Sequence, residues 1–445
     1  MATDREERAV EEMRSVEQAY RERRSEARAL PVLAETASLA DCLAYAALRN
    51  PGLEAAFYRW QAALMRVPQA RSLPEPRLSY AYFIREVETR VGPQRHKLAL
   101  AQAFPWFDVP ERRGDAALAA AEAERRQYET ARRKLFFEVQ DAYLDCYYLG
   151  RAIALTRTNV ELVTFLESVA RTRYRTDAAR HADVVKAQLE LATLEDRLRS
   201  LSDRLQPARA RLNAVLNRPA DAPLPEVAAA PREMIALTEP ELVERLRRHN
   251  PELGALAAVA EQEKQTAALA ARRYYPDFNL GLELVETGSA RTPGVHDSGK
   301  DPLIVMLSFS LPLWWNTYRA AEREAELRHL SALKRRADRE NRLVAELKHA
   351  LFAYRDAARR IELYENSLIP KATESLHVTQ QAFAAGTSAF LDLIEAERTR
   401  LGFELERERA LAEQPRRLAE IEMLVGEDLP RVPAGAQPDP EEPRP

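Results

Sequence analysis

Two stretches of this sequence share one pattern: Leu48-Arg49-Asn50-Pro51-Gly52-Leu53 and Arg248-His249-Asn250-Pro251-Glu252-Leu253. They lie 200 residues apart, and each follows a short segment whose apolar residues recur at helical spacing. Each Asn-Pro pair therefore predicts the same junction between two helices, once in each half of the chain.

Further matches between the halves keep the same order. Phe104-Pro105-Trp106 corresponds to Leu311-Pro312-Leu313, and later Asp183-Val184 corresponds to Asp392-Leu393, with an offset that grows only to 209. Chance matches would rarely keep their order. The sequence predicts an internal duplication, with a first repeat at 39–220, a linker at 221–237 and a second repeat at 238–429.

Four short runs alternate between apolar and polar or small residues, which is the pattern of half-buried strands. In the second half, for example, Leu280 and Leu282 alternate with Asn279 and Glu283. Polar loops separate the members of each pair, at 86–96 and 286–300, so each pair predicts a hairpin. The predicted strands are 78–84, 98–104, 278–285 and 303–311.

Long helices are predicted in both halves. After Pro110 no proline occurs until Pro207. Within this span apolar residues repeat in steps of four and three, a heptad seam: Leu135, Val139, Ala142, Cys146, Leu149, Ile153, Thr156 and Val160. A helix of this kind would extend roughly 85 Å. A second seam runs from Val344 to Leu368 until Pro370, where we expect a kink or break.

Composition excludes several classes of protein. The 445 residues include 66 basic and 69 acidic ones, a balance that gives no reason to expect nucleic acid as a partner. No run approaches the ~18–20 apolar residues of a membrane-spanning helix. With only Cys42 and Cys146, neither a disulfide framework nor a cysteine metal cage is expected. No phosphate loop, zinc motif or nucleophile elbow occurs, so we expect no enzyme activity, cofactor or metal site.

The two ends differ from the rest of the chain. Residues 1–38 form a charged arm without the apolar segment of a secretory signal. Residues 430–445 are rich in Pro and Glu, which predicts a disordered tail. Cys42 has two interpretations, a lipid-modified cysteine or an ordinary helix residue.

The duplicated plan resembles the TolC-type outer-membrane efflux proteins. The resemblance covers roughly 39–429 and rests on the paired Asn-Pro motifs, the Pro residues that end strands, and the stretch from Ala382-Phe383-Ala384-Ala385-Gly386 to Glu395-Ala396. It implies a mainly α fold with a small β part: a long helical coiled-coil barrel, and four strands per chain that contribute to a trimeric 12-stranded transmembrane β-barrel. It also implies the bacterial outer membrane as location, with a tunnel in the periplasm.

The resemblance further implies a function and partners. The chain would be the passive exit duct of a tripartite efflux or type I secretion system. It would form a homotrimer in outer-membrane lipid, dock to a periplasmic adaptor protein and be driven by an inner-membrane transporter. The resemblance does not name the cargo. The alternative is a soluble coiled-coil scaffold, which does not account for the four strands in duplicated positions.

Two sets of site residues follow from the resemblance. The turns at the far end of the helices would contact the adaptor: Tyr174, Arg175, Thr176 and Asp177 in the first half, and Phe383, Gly386, Thr387 and Ser388 in the second. Asp177 stands where the family usually has Gly.

Beyond the turns, Asp183, Asp392 and Glu395 would line the periplasmic aperture, where rings of carboxylates favour cations. For Asp183 and Asp392 the alternative is a carboxylate that binds the free N–H groups at a helix start.

Overall fold

The computed structural model describes residues 38–176, 180–224, 227–228 and 233–433, together with isolated positions before residue 38. Most of the predicted charged arm, most of the predicted tail and Asp177 lie outside the described residues. The chain divides into two compact units. The first contains Phe57–Arg126 and Leu253–Asp338, and the second contains most of the other described residues.

Helices make up most of the described chain. Their bounds are α1 Leu39–Arg49, α2 Pro51–Arg71, α3 Val109–Arg175, α4 His181–Val215, α5 Glu239–His249, α6 Pro251–Ala270, α7 Trp315–Leu363, α8 Ile369–Ala384 and α9 Phe390–Val425. The longest, α3, has 67 residues, as the proline-free span predicts. Among the helices of the described residues, none combines the length and the apolar character needed to cross a membrane.

One sheet of four antiparallel strands belongs to the first unit. The strands are β1 Arg77–Thr89, β2 Gly92–Phe104, β4 Phe278–Thr287 and β5 Leu303–Phe309, and they lie in the order β1-β2-β4-β5. The two hairpins are therefore joined through β2 and β4, where Leu100 faces Leu282 and Phe104 faces Phe278. A second sheet, not foreseen from the sequence, pairs β3 Glu233–Ile235 with β6 Arg431–Pro433 in the second unit.

The first hairpin differs from its prediction. Its strands continue into the predicted loop at 86–96, so that Val87 pairs with Gln94 and Thr89 with Gly92, beyond a register shift after Tyr82. Most residues of β1 are exposed, and polar side chains are compatible with an exposed strand. Arg95 and Glu86 also form an ion pair across the hairpin, with 3.3 Å between Nε and Oε1. The second hairpin keeps a long loop between Thr287 and Leu303.

The core of the second unit contains the predicted seams. Seven of the eight predicted seam residues of α3 are buried; the eighth, Val160, is partly buried and packs against one of the clusters. Seam residues nearer the start of α3, such as Val139 and Cys146, pack with α1, α2 and α4. Seam residues nearer the end of α3, such as Ile153, pack with α4, α8 and α9. Both cysteines are buried, and burial raises the pKa of each thiol to about 11, so they serve as packing residues.

The second predicted seam is confirmed in part. Leu347 and Leu351 on α7 are buried as expected, but Leu343 is buried where Val344 was predicted. The predicted kink at Pro370 takes the form of a π-helical turn, Tyr364–Leu368, directly before α8. Proline has no N–H to donate to the preceding turn, and a π turn accommodates that loss without breaking the helix.

The two Asn-Pro junctions have matching contacts. Asn50 donates from Nδ2 to the carbonyl oxygen of Val215, the last residue of α4, at 3.1 Å. Asn250 donates in the same way to Leu424, near the end of α9, at 2.7 Å. Each asparagine thus binds the carboxyl end of the long returning helix in its own half of the chain.

Candidate functional site

The four-stranded sheet exposes a broad apolar face. Alternate residues of neighbouring strands lie opposite one another, so their side chains share this face. Tyr82 and Leu282, for instance, are 61% and 47% exposed. The apolar face consists of Leu78, Tyr80, Tyr82, Leu98, Leu100, Phe278, Leu280, Leu282, Leu284, Leu303, Val305, Leu307 and Phe309. A contiguous apolar surface of this size is typical of a membrane or protein contact rather than a surface in water.

The opposite face of the sheet is more polar and less accessible. Asn279 lies beside Ser308 there, and Glu283 is buried against Lys97, whose Nζ lies 2.7 Å from its carboxylate. The face also carries small residues such as Ala99 and Gly281. The polarity of the two faces therefore follows the predicted alternation.

Exposed aromatic residues follow the ends of the strands. Trp106 stacks on Tyr275 with 4.7 Å between ring centroids and also contacts Phe107. After β5, Trp314 and Trp315 are 72% and 57% exposed. Such aromatic residues beside an apolar surface are typical of the boundary between lipid and water. The sequence carries this signal as an aromatic pair soon after each strand-ending proline, although these residues were not among the predicted sites.

The second turn expected to contact a partner, residues 383–388, lies between α8 and α9 and is here called the second tip. Gly386 adopts a left-handed conformation, with φ 76°, and its N–H donates to the Phe383 carbonyl. A left-handed residue of this kind commonly ends a helix. Thr387 donates from both its N–H and its hydroxyl to Ala382, and Ser388 donates from its hydroxyl to Asp392. The predicted residues of this turn therefore form one compact unit.

The first tip is the end of α3, and it lies against the second tip. Tyr174 contacts the ring of His181, and the Thr176 hydroxyl donates to the Arg173 carbonyl. Arg173, which the sequence analysis did not single out, joins the tips: its guanidinium donates to the Phe383 carbonyl at 2.9 Å and lies 4.3 Å from the centre of the Phe383 ring. Arg175 is exposed beside these residues.

The three predicted aperture residues separate into two kinds. The Asp392 carboxylate accepts from the Ala389 N–H at 3.0 Å, and that of Asp183 accepts from the Arg180 N–H at 3.4 Å. Both aspartates therefore bind free N–H groups at the starts of their helices, which is the alternative given for them above. Glu395 is exposed and lines a groove of about 310 Å³ between α8 and α9 together with Asp392, so the structure brings these two predicted residues together.

Buried carboxylates lie farther along α4 and α9 and were not predicted. Glu190 is buried and forms an ion pair with Arg398, a hydrogen bond that raises the pKa of the arginine. Glu397 is buried and accepts from Asn159 and from Arg400. The partners of these two carboxylates lie on other helices or one turn away on the same helix. Each buried carboxylate therefore has a hydrogen-bonding partner within the chain. Over the described residues, no group of His, Cys, Asp or Glu is arranged to hold a metal ion.

The sheet with one apolar face and the aromatic residues at the strand ends indicate a protein in contact with a membrane. The chain matches the outer membrane efflux protein family over residues 43–218 and 242–427, and it belongs to that family. It is therefore an efflux channel protein and not an enzyme.

The individual relatives have low sequence identity to this chain, but each match covers most of both proteins. Nodulation protein T of Rhizobium leguminosarum bv. trifolii is 20% identical over 376 residues, which cover 82% of this chain and 80% of the relative. Cobalt-zinc-cadmium resistance protein CzcC of Cupriavidus metallidurans is 23% identical over 376 residues, which cover 81% and 83%. The outer membrane protein VceC of Vibrio cholerae has the same fold, with a TM-score of 0.72 at 17% identity over 87% of this chain and 96% of VceC.

Proposed function

We propose that three copies of this chain close a twelve-stranded barrel in the bacterial outer membrane, above a helical tunnel in the periplasm. The observation that carries the proposal is the sheet of the first unit. Within the described residues, β1 and β5 pair on one side only, so each chain presents two open edges beside an apolar face. Open edges leave backbone groups unsatisfied in lipid, and four strands are too few to close on themselves. Association of several copies removes both edges.

The two faces of the sheet support this placement. The apolar face that carries Leu282 would contact lipid, and the face that carries Asn279 and Glu283 would line the lumen. Trp314 and Trp315 would lie at the membrane boundary on the side of the helices, because they follow the end of β5 directly.

We also propose that the chain is an internal duplication, with repeats at 39–220 and 238–429 joined by a linker at 221–237. The matching contacts of Asn50 with Val215 and of Asn250 with Leu424 support this proposal, since both place the Asn-Pro motif on the end of the long helix of the same repeat. The small sheet of β3 and β6 would then be an addition outside the repeated plan.

The two tips are proposed as the docking surface for a periplasmic adaptor protein. They carry exposed side chains such as Tyr174 and Arg175, and Arg173 holds them together. Cargo would be driven through the duct by an inner-membrane transporter. The relatives' names refer to nodulation and to cobalt-zinc-cadmium resistance, so kinship alone does not fix the cargo.

The proposed aperture comprises Glu395 and Asp392, which line one groove, and Asp183; both aspartates also accept a backbone N–H at the start of their helices. Three copies of Glu395 around a threefold axis would form a carboxylate ring that favours cations.

Light scattering of the purified protein in detergent tests the proposal. The expected particle contains three chains. A monodisperse single chain that retains its helical content would contradict it, because the edges of β1 and β5 would then remain open.

A further inference from the structure

A cavity of about 510 Å³ lies in the first unit, at the junction between the sheet and the helices. It is formed by the first turn of α3, the end of α6, the segments flanking β4 and β5, and the beginning of α7. All of the lining residues belong to one chain and to the first unit, so the cavity does not depend on association between copies. Its volume lies within the range of ordinary small-molecule sites.

The charges around this cavity are unequal. Four arginines and two carboxylates line it. Two of the arginines are already paired: Arg272 binds Asp108, at 2.7 Å, and Arg328 binds Glu324, at 2.6 Å. The Asp108 carboxylate also accepts from Arg112. Arg272 and Arg112 together lower the pKa of Asp108 to about 2, so the ion pair of Arg272 with Asp108 stays charged near neutral pH.

The other two arginines, Arg113 and Arg273, are exposed, and neither contacts a carboxylate among the described residues. The remaining carboxylate, Asp277, accepts from the backbone N–H of Trp106 at 3.2 Å. Two guanidinium groups therefore lie at the cavity without an anionic partner. Guanidinium groups bind carboxylate, sulfonate and phosphate groups through paired hydrogen bonds.

The cavity borders both faces of the sheet. Asp277 and Ser310 line it, and the Ser310 N–H donates to the Asp277 carbonyl oxygen, which continues the pairing of Asn279 with Ser308. By the alternation of the strands these two residues share the face that carries Glu283, whereas Leu311, which also lines the cavity and is 74% exposed, falls on the apolar face. The rings of Tyr275 and Tyr318 also line the cavity and provide surface for an aromatic or apolar body.

We propose that this cavity is a binding site for small amphipathic anions, held at their charged group by Arg113 and Arg273 and at their apolar part by Tyr275 and Tyr318. The anion is supplied either as cargo of the duct, which rests on the proposed function, or as the headgroup of a lipid, and the test separates these two sources.

The test uses the full chain in an uncharged detergent and 1-naphthoate as the probe, with binding measured by equilibrium dialysis. The double variant Arg113→Gln/Arg273→Gln is expected to bind at least tenfold more weakly, because it loses two charge-assisted contacts. Arg59→Gln/Arg66→Gln is the matched control, because both arginines are exposed on α2 in the same unit, and the double change removes the same two charges without touching the cavity lining. It should bind as the parent does.

Two outcomes would overturn the proposal: unchanged binding in the double variant, or equal binding of the cation 1-naphthylmethylammonium. Displacement of naphthoate by dihexanoylphosphatidylglycerol at tenfold lower concentration would support the site with a lipid headgroup as its ligand, and weaker displacement would support it with cargo as its ligand. Light scattering on the same samples reports association separately. A chain that fails to form trimers yet binds naphthoate through the two arginines would refute the duct and retain the anion site.

Discussion

Asn250 Nδ2 lies 2.7 Å from the carbonyl oxygen of Leu424, although 174 residues separate the two in sequence. Asn250 is buried and Leu424 belongs to the last turn of α9, where carbonyl groups have no partner within the helix. The side chain therefore joins the start of one repeat to the end of its longest returning helix. Asn50 makes the corresponding contact with Val215 in the other half.

Replacement of either asparagine should destabilise the protein. Asn250→Ala leaves a buried carbonyl without its donor, and we expect a loss of about 1–3 kcal/mol in the free energy of unfolding. Asn50→Ala should cost less, since Asn50 is only half-buried. Denaturant unfolding followed by circular dichroism measures both. Asn341→Ala, at an exposed position within α7, is the control and should leave stability unchanged or slightly raised. Equal stability of Asn250→Ala and Asn341→Ala would argue against the contact.

Two glycines, one within α9 and one directly after it, should respond in opposite directions to the same change. Gly426 ends the helix at φ 93°, and a Cβ there would lie 2.5 Å from the His249 carbonyl oxygen. Gly426→Ala is expected to cost about 1–3 kcal/mol. Gly402 lies within the helix with no atom within 4 Å of an added Cβ. Gly402→Ala should therefore stabilise by up to about 1 kcal/mol. Thermal melts of the two variants give the signs, and a stabilising Gly426→Ala would refute the packing described.

The two faces of the sheet should differ in their tolerance of charge. Leu282→Arg places a guanidinium on the apolar face, where it costs roughly 2–4 kcal/mol near the middle of a membrane. Asn279→Arg, on the opposite face of the same strand, is the matched variant, because Asn279 is exposed. Glu283 is a poorer choice, since it is buried against Lys97. Fractionation of cells should find less of Leu282→Arg in the outer membrane; equal amounts of both variants would reverse the assignment of faces.

Glu395 and Asp392 should have separable roles. Glu395→Gln is expected to lower the preference for cations in planar-bilayer recordings and to weaken block by divalent cations, because it removes a carboxylate from the proposed ring. Asp392→Asn should instead lower helix stability by about 1 kcal/mol or less, since its carboxylate accepts from Ala389. Glu374→Gln, at an exposed position on α8, is the charge-matched control. Unchanged selectivity in Glu395→Gln would remove it from the aperture.

Regular patterns made much of this fold predictable. Period-two alternation located all four strands of the large sheet, and the heptad rhythm located the buried residues of α3, because both patterns follow directly from backbone geometry. The seam of α7 was less accurate, with Leu343 buried in place of Val344. A straight helix has 3.6 residues per turn and drifts against a strict heptad, so the buried stripe departs from the predicted seam at Val344 while it agrees with the seam at Leu347 and Leu351.

Contacts between distant residues were not predictable. Glu190 and Arg398 lie 208 residues apart, and nothing in either local sequence indicates the other. The tip contact between Arg173 and Phe383 is of the same kind. For Asp183 and Asp392 the sequence left two roles open, because a carboxylate at the start of a helix suits both capping and an aperture; the hydrogen bonds to Arg180 and Ala389 favour capping.

Cross-linking of the sheet edges tests the central claim most directly. Ser79→Cys on β1 is combined with a cysteine on β5 at Ile304, Met306 or Ser308, with Cys42 and Cys146 replaced by Ala. Within one chain, β2 and β4 separate these strands by about 14 Å, twice the reach of a disulfide. A bond can therefore form only between chains. We predict that mild oxidation of the protein in outer membranes joins three chains covalently for at least one pair, whereas each single-cysteine variant stays uncrosslinked. Folded protein in which no pair forms a disulfide would contradict a barrel closed by three copies.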